Sequence, residues 1–85
     1  MRKILFTPIA FEQYNEWQIE NKQVFTRLKK LIKEIAKTPF EGTGKPEALK
    51  YDYAGCWSRR ITDEHRLVYK IQEDWIEIIA CKFHY

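Results

Sequence analysis

The sequence predicts an α+β domain in which two N-terminal helices pack on one face of a small antiparallel sheet. In the first half of the chain, apolar residues recur every three or four positions, as they do along one face of a helix. The second half carries short segments rich in β-branched and aromatic residues, separated by turn residues. The chain has 85 residues, 45% of them hydrophobic, which suits a single core, so residues 1–85 are expected to form one domain.

The first elements are predicted to be a strand and two helices. The segment "RKILF" is typical of a short strand, and Thr7 followed by Pro8 indicates a helix start, because threonine caps helices well and proline fits the first helical turn. This helix should end near Glu20. Asn21 then caps a second helix, whose apolar face consists of Val24, Phe25, Leu28, Leu31, Ile32, Ile35 and Ala36.

A loop and four further strands follow the helices. "TPFEGTGKPE" ends the second helix, since proline cannot continue it and glycine favours turns, and we expect an ordered loop there. The four segments expected to form the sheet are "ALKYDY", "CWSRRI", "RLVYKI" and "WIEIIACKFHY". Helices first and strands afterwards is the order that favours an α+β arrangement.

The positive charge is concentrated in the first half of the chain. The net charge is +3, and residues 1–40 carry eight Lys or Arg against four Asp or Glu. Much of this excess lies on the second helix, where Lys29, Lys30 and Lys33 are candidates for contact with a nucleic acid. A solvated face that only keeps the helix soluble explains the same pattern, and both interpretations stay open.

Membrane and secreted classes are not favoured by the sequence. No apolar stretch approaches the roughly 20 residues that a membrane span needs, and no signal-peptide pattern precedes the domain. The two cysteines, Cys56 and Cys81, lie in apolar surroundings. We therefore expect a cytoplasmic protein with two reduced, buried thiols.

Strand alternation predicts which residues face the solvent. If Ile71 and Trp75 flank the turn "QED", Arg66 lies opposite Ala80; and if Ile61 pairs with Arg66, one face becomes strongly basic. The residues expected on this basic face are Arg59, Arg66, Lys82 and His84, close to Lys45, Glu47 and Lys50 of the preceding loop. Among them, the candidates for RNA contact are Arg59, Lys82, Lys45 and Lys50. The residues expected on the opposite face, toward the helices, are Leu67, Tyr69, Ile71, Ile79, Cys81 and Phe83.

One carboxylate, one imidazole and several cations together suit a metal-independent cleavage of RNA without a cofactor. Glu47 is the candidate base for the 2′-hydroxyl, Arg66 the group that stabilises the charged phosphorane, and His84 the acid that protonates the leaving oxygen. The phenol of Tyr85 can bind the phosphate or stack on a base if the last residue bends away from the strand. A solvated basic sheet face, without catalysis, is the alternative interpretation.

Other chemistry fits the sequence less well. Cys81 and His84 resemble half of a zinc site, but Cys56 and His65 would have to complete it with unsuitable spacing. A cysteine nucleophile paired with His84 is not favoured, because Cys81 is expected to face the core. His65, in the turn "TDEH", is expected to hydrogen-bond that loop.

Several motifs resemble the Txe/YoeB family of toxins, within the RelE/ParE superfamily of toxin–antitoxin systems. They are "TPFEGTGKPEALK", "CWSRRITDEHRLVYKI" and the terminal "ACKFHY". The resemblance implies a microbial-RNase-like (RelE-like) fold and an endoribonuclease that cuts mRNA in the ribosomal A site. By matching motif it implies Glu47 as general base, Arg66 as the phosphate-stabilising arginine, His84 as general acid and Tyr85 as a substrate-placing tyrosine.

The resemblance also implies further site residues and partners. Lys50, Arg60 and His65 match positions that the family uses around the site, although Arg60 does not fall on the basic face in the predicted register. The implied partners are the ribosome with its mRNA and an acidic antitoxin of the YefM/Axe type, and a toxin homodimer is possible within the family.

Two other functions stay open from the sequence. One is a ParE-like toxin that inhibits gyrase by binding it, and the other is a non-catalytic RNA-binding module. The joint presence of Glu47, Arg66 and His84 favours the nuclease over the gyrase inhibitor. Replacing His84 with Gln separates an enzyme, which should lose cleavage but keep binding, from a binding module.

Overall fold

The computed structural model describes residues 1–84, and Tyr85 lies outside the described residues. In chain order the elements are β1 (Lys3–Phe6), α1 (Pro8–Glu20), α2 (Lys22–Lys37), β2 (Glu47–Ala48), a 3-10 helix (Tyr51–Tyr53), β3 (Cys56–Arg60), β4 (His65–Ile71) and β5 (Trp75–His84). The strands form one sheet in the order β1-β5-β4-β3-β2. The predicted α+β class is confirmed, with the difference that β1 pairs with β5 in parallel while the other strands are antiparallel.

Both helices begin at the caps that the sequence predicts. The hydroxyl oxygen of Thr7 accepts the N–H of Ala10 at 3.1 Å, and Pro8 is the first helical residue of α1. The side-chain oxygen of Asn21 accepts the N–H groups of Gln23 and Val24, each at 3.1 Å. These bonds satisfy backbone donors that a helix start otherwise leaves without an acceptor.

The core lies between the two helices and one face of the sheet. Helix α2 buries Leu28, Leu31, Ile32 and Ile35 as its periodicity predicts. From α1 the buried Trp17 joins them, and its indole N–H donates to the carbonyl of Cys81 at 2.8 Å. The sheet contributes Leu67, Tyr69, Ile76, Ile78 and Cys81, all fully buried. One face of the sheet is therefore covered by helices, and we call it the helix face.

The prediction of a strand over "ALKYDY" is wrong. Only Glu47 and Ala48 pair with β3, as a two-residue strand. The chain then turns through the 3-10 helix, because the N–H of Tyr53 bonds the carbonyl of Lys50 at 3.2 Å and the N–H of Ala54 bonds that of Tyr51 at 3.0 Å. This local bonding replaces the pairing that a longer strand would need.

The two cysteines differ in environment. Cys81 is buried, as predicted, and its Sγ lies 3.5 Å from the carbonyl oxygen of Ala10. Burial raises the pKa of this thiol to about 12, so it stays protonated at neutral pH. Cys56 is only half-buried, so the prediction of two buried thiols is right for Cys81 alone.

None of the helices within residues 1–84 combines the length and the apolar character that crossing a bilayer requires.

Candidate active site

The pairing of β3 with β4 differs from the predicted register by one residue. Arg60, not Ile61, lies opposite Arg66, and Arg59 lies opposite Leu67. The turn causes the difference: the N–H of Ile61 bonds the carbonyl of His65 at 3.0 Å, so Ile61 meets His65 instead of Arg66 and the turn is one residue shorter than predicted. A shift of one residue moves every side chain of a strand to the other face. Arg60 therefore shares a face with Arg66, and Arg59 does not.

The pairing of β4 with β5 also departs from the prediction. Arg66 lies opposite Phe83 rather than Ala80, because Ile71 pairs with Ile76 and the register shifts twice around Val68. Each irregularity of this kind adds an extra residue to one strand, so the residues beyond it pair one position further along the neighbouring strand. Cys81 still faces the helices as predicted. The prediction that Ile79 and Phe83 join the core is wrong, since Ile76 and Ile78 take that place.

Arg59 is buried under α2 and does not belong to a basic surface. Its side chain is 0% exposed and its Nη1 lies 2.7 Å from Oε1 of Glu34. Its Nη2 donates to the carbonyls of Thr38 at 2.6 Å and Glu41 at 2.9 Å. The prediction that Arg59 contacts RNA is therefore corrected: this guanidinium holds the loop after α2 against the sheet.

Lys82 also lies on the helix face, contrary to the prediction. Its Nζ binds Glu16 at 3.0 Å and Glu20 at 2.8 Å, and sits 4.9 Å from the centre of the Trp17 ring. Partial burial lowers the pKa of this ammonium, but the hydrogen bonds of Glu20 and Glu16 outweigh it, so the pKa is raised. Its charge is thus matched within the protein, and the prediction of an RNA contact is corrected here too.

The other face of the sheet carries Glu47, Arg60 and Arg66. Residues directly opposite one another in a sheet share a face. Glu47 lies opposite Ser58 and Ser58 lies opposite Val68, so these three residues are on the same face. Arg60, Arg66 and Phe83 form the next row on the same side. We call this surface the open face, defined by Glu47, Ser58, Arg60, Arg66, Val68 and Phe83; Ser58 and Val68 are themselves buried, at 3% and 0% exposed. In its second row two arginines lie directly opposite each other.

A groove of about 340 Å³ lies on the open face beside Glu47. Its lining residues are Glu47, Ala48, Leu49, Lys50, Tyr51, Tyr53 and Phe83. The rings of Tyr53 and Phe83 meet edge to face, with centres 5.1 Å apart. Sequence reasoning missed both tyrosines as site residues, because it placed them in a strand; the turn residue Gly55 was the available signal.

The loop before β2 brings Lys45 and Glu47 next to β3. The N–H of Arg60 donates to the carbonyl of Gly44 at 2.7 Å, which fixes the loop at the edge of the sheet. Lys45 has a positive φ of 53°, a conformation that few residues other than glycine adopt. The predicted proximity of Lys45, Glu47 and Lys50 to the arginines of the open face is consistent with this path.

The two histidines lie at the end of the sheet. His84 pairs with His65, one position beyond the row of Arg66 and Phe83, and their rings are 5.9 Å apart. The ring of His65 packs 5.0 Å from that of Trp17, so this pair leans toward the helix face. The prediction that His84 lies on the same face of the sheet as Arg66 is therefore wrong. His84 is nevertheless exposed, and its Nε2 lies 3.6 Å from Oε2 of Glu64.

His65 is fixed by its turn, as predicted. The hydroxyl oxygen of Thr62 accepts the N–H of Glu64 at 3.1 Å and that of His65 at 3.0 Å. The same hydroxyl oxygen lies 3.0 Å from Nδ1 of His65, so the ring is also held against the turn.

The basic residues of α2 are separated from the open face. Lys29, Lys30 and Lys33 line a groove of about 560 Å³ with Ile4, Phe6, Tyr14, Thr26 and Ile32, next to β1 and the helices. The structure therefore does not join these lysines to Glu47 and Arg66. Within residues 1–84, no three metal-ligating side chains come together as a set. The predicted role of Tyr85 lies outside the described residues.

Comparison with known proteins gives the family. Residues 6–85 match the family described as YoeB-like toxin of bacterial type II toxin-antitoxin system. Toxin YoeB of Escherichia coli K12 is 46% identical over 83 residues, which cover 98% of this chain and 99% of that protein. Two Staphylococcus aureus structures, each 44% identical with a TM-score of 0.89, are a YoeB–YefM complex and a YoeB dimer.

The two structures align over nearly the whole fold. The complex covers 100% of this chain and 99% of the matched chain, and the dimer covers 99% and 98%. Sequence, family match and three-dimensional similarity agree over the same residues. The chain therefore belongs to the YoeB-like toxin family of bacterial type II toxin–antitoxin systems.

Proposed function

We propose that this toxin is a ribosome-dependent endoribonuclease that cleaves mRNA in the ribosomal A site and so inhibits translation in the cytoplasm. One observation carries the proposal. Glu47 lines a groove with Phe83, and Phe83 lies opposite Arg66, which in turn lies opposite Arg60. A carboxylate base and two guanidinium groups on the same sheet face suit a phosphodiester that must lose a 2′-proton and gain negative charge on phosphorus.

In the proposed reaction, Glu47 takes the proton of the 2′-hydroxyl, whose oxygen attacks the adjacent phosphorus. Arg66, with Arg60 beside it, stabilises the negative charge of the phosphorane. His84 gives a proton to the departing 5′-oxygen, leaving a cyclic phosphate and a new 5′-hydroxyl end. The strand geometry does not place His84 on the open face, so we propose that its side chain, 71% exposed at the strand end, turns toward the phosphate when RNA binds. We assign Tyr85 to substrate placement, and Lys45, Lys50 and His65 to contacts around the RNA.

The proposed partners follow from the relatives. The Staphylococcus aureus structures contain a YoeB–YefM complex and a YoeB dimer. By similarity we propose that this toxin is inhibited by an acidic antitoxin of the YefM/Axe type and that it can form a homodimer. The groove beside Lys29, Lys30 and Lys33 combines an apolar floor with positive charge, which suits an acidic, partly apolar segment.

The test is to map mRNA ends in a purified translation system. The wild-type toxin should create new ends within A-site codons, and Glu47→Ala should reduce the cleavage rate by about 100-fold or more. His84→Gln should lose cleavage while still binding programmed ribosomes. Absence of cleavage by the wild type, together with inhibition of gyrase supercoiling, would overturn the proposal in favour of a ParE-like activity. Ribosome binding without any cut by the wild type would indicate a binding module.

A further inference from the structure

Tyr51 has a backbone conformation that does not suit its side chain. It is the first residue of the 3-10 helix, with a positive φ of 58°. This left-handed region places the Cβ too close to the following carbonyl, so bulky residues are rare there and glycine is favoured. A tyrosine at this position is therefore a local strain that the surrounding turn must maintain.

Packing does not account for the tyrosine. Its side chain is 91% exposed, the largest exposure among the aromatic residues within residues 1–84, so it contributes almost nothing to the core. By contrast, Tyr53, two residues later, is 40% exposed and packs on Phe83. An exposed ring on a strained backbone has no evident structural role, which makes a role in binding the better explanation.

The surroundings of Tyr51 indicate what the ring would bind. It lines the same groove as Glu47, Lys50 and Phe83. A ligand that places a phosphate near Glu47 and Arg66 would bring its neighbouring groups into this groove. Exposed aromatic rings beside a cationic surface are the usual stacking platforms for unpaired bases of single-stranded RNA.

We propose that Tyr51 stacks on an unpaired base of the RNA substrate, next to the scissile phosphate, and so contributes to substrate binding. This inference rests on the proposed nuclease function. Stacking uses the face of the ring and not the hydroxyl, so the contact holds a base without selecting one of the four strongly.

The experiment compares Tyr51→Gly with Tyr51→Phe in single-turnover cleavage of mRNA on programmed ribosomes. Tyr51→Gly should lower the second-order cleavage rate by about 5- to 100-fold, the range found when a stacked base loses its aromatic partner. Its melting temperature should stay equal or rise, because glycine adopts the positive φ without strain. Tyr51→Phe, the conservative variant, should restore cleavage. Phe11→Leu, which removes an exposed ring of α1, is the matched control and should cleave like the wild type.

A substrate change completes the test. An mRNA that lacks one base beside the cut should be cleaved more slowly by the wild type, whereas Tyr51→Gly should be insensitive to loss of that same base. Equal cleavage by Tyr51→Gly and the wild type would overturn the inference, as would a loss of melting temperature that parallels the loss of cleavage. Both outcomes require that the wild type cleaves mRNA in the same assay. If the wild type does not cleave, the proposed nuclease function fails, which is a different result.

Discussion

Arg59 and Arg60 are neighbours in β3, but they lie on opposite faces of the sheet and in opposite environments. Arg59 is fully buried and binds Glu34 and three loop carbonyls. Arg60 is exposed and lies opposite Arg66, a residue of the same charge. The buried arginine has its charge and hydrogen bonds matched by Glu34 and the loop carbonyls, whereas Arg60 lies at the surface beside a second arginine. The comparison teaches that one residue type serves the core on the helix face, while the open face is where we propose that RNA binds.

The largest expected effect is on the buried arginine. Arg59→Met should destabilise the protein by about 3–5 kcal/mol, because it removes the cation that pairs with Glu34 and leaves the buried loop carbonyls without that donor. Arg60→Met, the matched control on the open face, should change stability by about 0.5 kcal/mol or less. Urea unfolding followed by circular dichroism measures both. If the two variants were equally stable, the assignment of Arg59 as a structural residue would fail.

A smaller effect is expected at the hydroxyl of Tyr69. This oxygen accepts from Nε of Arg59 at 3.1 Å and donates to the carbonyl of Pro39 at 2.9 Å. Burial raises the pKa of the hydroxyl, so the proton it donates is retained. Tyr69→Phe should therefore cost about 1–3 kcal/mol in the free energy of unfolding.

Tyr14→Phe is the control for the Tyr69 variant, because it also removes a phenolic oxygen while keeping the ring contacts with Phe6 and Phe25. Its free energy of unfolding should stay within about 0.5 kcal/mol of the wild type. If Tyr14→Phe lowered the free energy of unfolding as much as Tyr69→Phe, the hydrogen bonds of Tyr69 with Arg59 and Pro39 would not explain the effect of the Tyr69 variant.

The smallest expected effect is a pH dependence at Glu34. The N–H of Thr43 lowers the pKa of this carboxyl most, and the hydroxyl of Thr43 and the guanidinium of Arg59 lower it further, while partial burial acts in the opposite direction. A lowered folded-state pKa stabilises the protein above the ordinary pKa of 4.5, and this contribution is lost as the pH falls through the lowered value. The stability gap between the wild type and Glu34→Gln should thus be constant from pH 7 to about pH 5 and narrow in more acidic solution. Urea titrations at stepped pH measure it, and a gap that widens on acidification would contradict the linkage.

Much of the fold follows from local signals in the sequence. The caps at Thr7 and Asn21 and the periodicity of α2 predict both helices correctly, because capping and amphipathic burial depend on neighbouring residues. Register does not follow in this way. The turn before Arg66 is one residue shorter than predicted, which exchanges the faces of Arg59 and Arg60, and the irregularities around Val68 shift the pairing of β4 with β5.

The candidate site was predicted in part. That Glu47 and Arg66 share one face of the sheet was predicted from the loop and the strand order, whereas the locations of Lys82 and the two tyrosines were not. Lys82 is drawn to the helix face because Gln13 accepts two consecutive N–H groups of β5, those of Cys81 at 2.8 Å and Lys82 at 3.2 Å. Strict alternation along a strand assigns Cys81 and Lys82 to opposite faces, so it cannot predict that both lie on the helix face.

The cleavage rates of two cation variants test the central claim, that RNA is cut on the open face, most directly. Arg66→Met removes a cation of the open face, and Lys82→Met removes one of the helix face. In single-turnover cleavage on programmed ribosomes, Arg66→Met should be slower than the wild type by about 100-fold or more, whereas Lys82→Met should cleave within about twofold of it. Equal losses in both variants, or undiminished cleavage by Arg66→Met, would contradict the account.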